Sequence, residues 1–119
     1  MSSYHYIFIR SSTSEGQLVG DISGACGIPL RRPGGELVDW SAKVDRAAVE
    51  LELSHDFEAD HGIQLERYQS VLVIRDLDRD LERQQLLAER IFDGLAEVGR
   101  YELVLMFDIQ EVIARSPKD

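Results

Sequence analysis

One cysteine, Cys26, is the whole thiol content of this 119-residue chain, so no disulfide can close within it. Long apolar runs are missing as well. A membrane-spanning helix needs about 18 or more consecutive apolar residues, and no such stretch occurs. The run Tyr6–Ile9 is too short for a secretory leader's apolar region, and no cationic stretch precedes it. These absences lead to the expectation of a cytoplasmic, bacterial-type protein with no membrane association. Positive charge is scarce: 13 basic residues face 22 acidic ones, a net charge of −9. The deficit is confined to residues 36–119, because residues 1–35 carry a slight basic excess. A chain of this sign repels phosphate backbones, which disfavours nucleic acid as a partner, and it attracts basic surfaces at long range. What is present is a hydrophobic fraction of 44%, ordinary for a globular core. The length fits a single domain over residues 1–119.

Tyr4–Arg10 is β-branched and aromatic and predicts a strand. Ser12 stands three residues before Glu15, a capping-box pattern. Leu18, Ile22 and Ala25 then recur at helical spacing, and Gly27 offers a left-handed stop. Residues 27–46 hold Pro29, Pro33, Gly34 and Gly35 and predict a loop, with an extra strand or hairpin near residues 29–40. In Ala47–His55 the residues Val49, Leu51 and Leu53 alternate with Glu50, Glu52 and Ser54, a strand with one wet face. Arg67–Asp76 predicts a central strand. Asp80–Val98 places Leu81, Ala88, Ile91, Phe92 and Leu95 on one helical face. In Tyr101–Ala114 the residues Tyr101, Leu103, Leu105, Phe107 and Ile109 alternate with Glu102, Val104, Met106 and Asp108, which predicts one long strand. The order β-α-β-β-α-β implies an α+β fold of ferredoxin-like type: a four-stranded antiparallel sheet with two helices on one face.

Signatures of chemistry are few. Asp76, Asp78, Asp80 and Glu82 form a ladder of carboxylates, but a calcium loop from Asp76 needs glycine at its sixth place and glutamate at its twelfth. Leu81 and Leu87 stand there, so the ladder reads as the capped entrance of a helix. His55, Asp56, Glu58, Asp60 and His61 crowd into one connection and offer metal-ligating groups without a recognised ligand spacing. No metal or other cofactor is therefore expected. Cys26 falls near a helix C-terminus, where the dipole opposes thiolate formation. Ser23 lies outside any nucleophile elbow. Arg31 and Arg32 form an isolated basic pair that could clamp an anion. Gly16, Gly20 and Gly24 recur every four residues, which suggests close packing on that face or local irregularity. No residue set recommends catalysis.

With both helices on one side, the other sheet face is expected to be open. It would present Tyr4 and Tyr6 from the first strand, Glu50 and Glu52 from the second, and Glu102, Val104, Met106 and Asp108 from the last. An apolar centre with an acidic rim is the layout of a protein interface. In size, charge and element order the chain resembles small acidic bacterial immunity (antitoxin-like) proteins. That resemblance implies a non-catalytic module that masks the active site of a basic toxin. The alternative is a homodimer in which two open faces form an α+β barrel around a small ligand or a reaction site, with His5 or Tyr6 in the pocket.

Overall fold

The computed structural model describes residues 3–32, 39–57 and 63–117. The elements are β1 (His5–Arg10), α1 (Glu15–Cys26), β2 (Trp40–Val44), β3 (Ala47–Glu52), β4 (Ser70–Asp76), α2 (Leu81–Val98), β5 (Glu102–Phe107) and β6 (Glu111–Ser116). A 3-10 turn at Leu65–Arg67 precedes β4. All strands join one antiparallel sheet in the order β2-β3-β4-β1-β5-β6. The fold is α+β, and no helix among the described residues is long and apolar enough to cross a membrane.

The sheet has six strands rather than the four expected of a ferredoxin-like layout. Both additions sit at the edges and arise from tight turns. β2 joins β3 through Asp45 and Arg46, with Asp45 in a left-handed conformation (φ 56), which aspartate tolerates better than most residues. The extra strand anticipated near residues 29–40 begins at Trp40, with an isolated bridge from Arg31 to Ser41; residues 33–38 lie outside the described residues. The long strand expected from Tyr101 to Ala114 is instead the β5–β6 hairpin. Asp108 and Ile109 both take positive φ (54 and 56), and the Gln110 amide donates to the Phe107 carbonyl. A branched side chain is unfavourable in that region. Alternation runs as far as Ile109 and stops only at the adjacent polar pair Gln110–Glu111, past the turn residues Asp108 and Ile109, so the pattern carried the expected strand across the turn.

Helix boundaries follow their caps. Ser14 accepts from the Gln17 amide and starts α1, two residues later than the Ser12–Glu15 pair implied. The same S-x-x-[E/Q] pattern recurs at Ser14–Gln17, and the later copy is the one used. Gly27 (φ 84) ends the helix as expected. Asp80 caps α2 by accepting from the Arg83 amide, and Gly99 (φ 80) closes it.

Both helices cover one face of the sheet. Leu18, Ile22 and Cys26 of α1 and Leu87, Ala88, Ile91, Phe92 and Leu95 of α2 are buried with Ile7, Ile9, Val49, Leu51, Leu72, Ile74, Leu103 and Leu105. The helices meet closely at Gly94, where an added Cβ would lie 2.9 Å from the Ala25 Cβ. Gly16, Gly20 and Gly24 are not a contact stripe: they are exposed and no atom lies within 4 Å of a Cβ built on them. Leu81, expected inside, is exposed, and Gln84 takes the buried position in the first turns of α2.

The reverse face carries a second apolar cluster. Phe8, Val71, Val104 and Met106 of the sheet are covered by Ile63, Leu65 and Tyr68 from the connection between β3 and β4. Phe57 packs against the same cluster. Residues 56–62 were expected to be a polar connection and Tyr68 to belong to the following strand, which instead begins at Ser70. The apolar residues of the connection are too irregularly spaced to register as a helix or a strand, yet they straddle the middle of the sheet.

Candidate functional site

The carboxylate ladder is structural. The buried Asp76 side chain accepts from the amides of Asp78 (2.8 Å) and Asp80 (3.1 Å) and from Arg83 Nε and Nη2 (2.7 and 2.9 Å). The Arg83 guanidinium, with those two amides, holds the Asp76 carboxyl well below its ordinary range despite burial. Asp78 pairs with Arg46 and Arg83. The network fixes the turn from β4 into α2.

The histidine-rich connection is also spoken for in part. The Phe57 amide donates to His55 Nδ1, so the neutral ring carries its proton on Nε2, which donates to the Tyr68 carbonyl. Both ring nitrogens of His55 are thereby occupied in clipping the connection to the start of β4. Glu58, Asp60 and His61 lie outside the described residues, and among the described residues no group of three or more His, Cys, Asp or Glu is arranged to hold a metal. Arg32 does not form an anion clamp with Arg31. It pairs with Glu15 (2.9 Å) and stacks 4.8 Å over the Trp40 ring, while Trp40 Nε1 donates to the same carboxylate oxygen. Cys26 is buried, and burial pushes its thiol up to about 11. Ser23 Oγ accepts from the Leu30 amide.

The reverse face is half open rather than wholly open. Its middle and one end are sealed by the connection just described, and Met106, expected to bear on a partner, is fully buried there with Val104. Glu102 stands at the far end of β5 from Asp108, beside Arg10 (3.8 Å) and near Arg67 and Arg115 around a cavity of about 360 Å³. It is therefore apart from the other expected residues. The open end keeps Tyr4, Tyr6, Glu50 and Asp108 together: Tyr6 pairs with Val73 and Met106, Val73 pairs in turn with Glu50, and the Asp108 amide donates to the Tyr4 carbonyl (2.8 Å), whereas Glu52 pairs with Val71 in the row of the covered Phe8 and stands at the border of that covering. Tyr4 and Tyr6 rings lie 6.5 Å apart, and Phe57, which sequence reasoning missed, packs edge-on to Tyr6 at 5.7 Å.

These aromatic side chains are half-buried, each with an accessible flank. Burial first, then Asp108, Tyr4 and Glu52, pushes the Tyr6 phenol above its ordinary value. Burial also raises the Glu52 carboxyl, with Asp39, Glu50 and Asp56 adding repulsion. Glu50 is partly neutralised by Arg75 at 3.3 Å. The negative rim is thus carried by Glu52 and Asp108 more than by Glu50. The surface offers rigid aromatic flanks and anionic acceptors. No activated nucleophile with a neighbouring base accompanies them among the described residues. No protein-family model, curated protein or solved structure matches the chain.

Proposed function

We propose that the chain is a non-catalytic protein-binding module that takes a basic partner on the uncovered end of its sheet, and most specifically an immunity protein that masks the active site of a cationic toxin. The observation that supports this is the half-buried aromatic group Tyr4, Tyr6 and Phe57, with Asp108 and Glu52 near enough to act on the Tyr6 phenol. Half-buried tyrosines lose little conformational freedom on docking and are frequent anchors of interfaces. Carboxylates around them steer an oppositely charged surface and select against acidic ones. The net charge of −9 extends that attraction over the whole molecule.

The direct probe is the product of the neighbouring gene, if that product is cationic and toxin-like, titrated calorimetrically at two salt concentrations; the lack of any such neighbour counts against the immunity reading. A one-to-one complex is expected, weakened by salt. Tyr6→Ala should lower affinity about tenfold or more, the scale of an interface anchor. Glu52→Lys combined with Asp108→Lys should lower it at least as much. Affinity unchanged in that double variant, with its thermal stability intact, removes this surface from the reading.

A further inference from the structure

On the opposite, helix-covered face lies a cleft of about 550 Å³ between α2 and the β5–β6 hairpin. Its inner wall is His5, 1% exposed, whose ring is 5.0 Å from that of Phe107. The state of this imidazole follows from its neighbours. The Asp76 amide can only donate, and it meets Gln84 Oε1 at 2.7 Å. That fixes the Gln84 side chain, so its Nε2 donates to the Ser3 carbonyl (2.9 Å) and to His5 Nδ1 (2.8 Å). Because His5 Nδ1 accepts, the neutral ring carries its proton on Nε2. Burial, the largest influence, holds the ring below its ordinary value and so favours this neutral form, against Gln85, Glu89 and Glu111, which act the other way.

The Nε2 donor is buried and has no hydrogen-bond partner among the described residues. A buried donor left unsatisfied is costly, on the order of 1–3 kcal/mol, so its persistence needs an explanation. Gln85, a lining residue, donates from its Nε2 to Glu89 at 3.1 Å; its Oε1 acts on the His5 ring from nearby but makes no hydrogen bond of ordinary geometry with the ring Nε2. Around the donor the cleft has two further kinds of surface. Leu81, Leu86 and Phe107 provide an apolar floor, with Leu86 63% exposed. Glu82, Glu89 and Glu111 provide the charge, with no basic residue among the lining side chains. The volume is that of a small-ligand site.

We propose that this cleft binds a lysine- or arginine-like group: a neutral carbonyl accepting from His5 Nε2, an aliphatic stem on Leu86 and Phe107, and a terminal cation among Glu82, Glu89 and Glu111. A carboxylate in place of the neutral carbonyl would meet repulsion from those glutamates, so an amide fits and a free α-carboxylate does not. Two sources carry this chemistry, a free basic amino-acid amide and a basic residue within a peptide. The inference does not depend on the protein-binding reading, because the aromatic surface lies across the sheet.

The test is a titration of the full chain with Nα-acetyl-lysine methylamide, with the norleucine analogue as the uncharged control and an acetylated Gly-Lys-Gly amide as the peptide arm. Calorimetry gives affinity, and proton–nitrogen spectroscopy follows the His5 Nε2–H. Saturable binding of the lysine amide that shifts this resonance is expected. The norleucine analogue should bind about tenfold more weakly or worse, and Glu89→Gln or Glu111→Gln should weaken the lysine amide by about 2- to 5-fold each. Both glutamates are on the surface side of the cleft, so these variants should fold. Tighter binding of the tripeptide assigns the group to a protein segment; tighter binding of the single amide assigns it to a free small molecule. The absence of saturable binding, equal binding of the norleucine analogue, or a His5 resonance that stays still overturns the proposal.

Discussion

Replacing Gly94 by alanine should destabilise the protein, although the same change at Gly20 should stabilise it. In an exposed helix interior, glycine to alanine is worth about 1 kcal/mol in favour of alanine. Gly20 meets this condition, since nothing lies within 4 Å of the added Cβ. At Gly94 the added Cβ would sit 2.9 Å from the Ala25 Cβ and 3.4 Å from its Cα. Carbon atoms prefer separations of roughly 3.5–4.0 Å, so α1 and α2 would have to part by a good fraction of an ångström. Neither atom is the movable end of a long side chain. Overpacking of this kind costs about 1–3 kcal/mol. Set against the propensity gain, a net loss of about 1 kcal/mol remains for Gly94→Ala. Urea unfolding at neutral pH measures both variants, and a thermal shift of roughly 3–5 °C in opposite directions should accompany the two changes. Ala25→Gly introduced beside Gly94→Ala removes the encroaching methyl. The double-mutant cycle should return a favourable coupling of about 1 kcal/mol. If Gly94→Ala proves as stabilising as Gly20→Ala, the close crossing of the helices is refuted.

Two further predictions come from perturbed groups. The folded protein holds the Asp76 carboxyl below its ordinary value, so the unfolded chain binds the proton more readily and stability is lost as pH falls from about 5 toward the folded value. Asp76→Asn should lower the urea midpoint at pH 7, and its deficit against the parent should shrink by pH 3; a deficit independent of pH would show that the carboxylate's charge is irrelevant. Burial pushes the Cys26 thiol up to about 11, so a thiol reagent at pH 8 should label the folded protein only at the rate of unfolding, while labelling as fast as a free thiol would contradict its burial.

Where alternation and caps spoke clearly, the sequence could be read into structure. Val49 and Leu51 do face the helices while Glu50 and Glu52 do not, and Asp80 does cap α2. Ile7 and Ile9 point to the helix side and Tyr6 and Phe8 away from it. The failures share a cause. Asp108–Ile109 turns the chain while the apolar alternation of β5 still runs through Ile109, and the break at Gln110–Glu111 comes only after the turn residues. The covering of the reverse face depends on Phe57, Ile63, Leu65 and Tyr68, which contact the sheet from irregular backbone and therefore have no period. That covering buries Met106 and borders Glu52, while Tyr4, Tyr6 and Asp108 lie beyond it. His5 was expected only in a pocket between two open sheet faces, whereas it lines the cleft beside α2 on the helix-covered side. Its proton position depends on Gln84, 79 residues away in the chain, a relation that no local pattern can express.

The outer strand β2 bears on how this molecule behaves at high concentration. A sheet margin with bare amides and carbonyls is a template on which other chains can add, the first step toward fibrils. Here the outward amide and carbonyl of Ser41 are already bonded to the carbonyl and amide of Arg31, both at 2.8 Å. The next outward position along the strand is Lys43, exposed and cationic, which an incoming strand would have to desolvate. On this margin the protein is guarded against polymerising with itself, by a short stretch of its own backbone and a single charge.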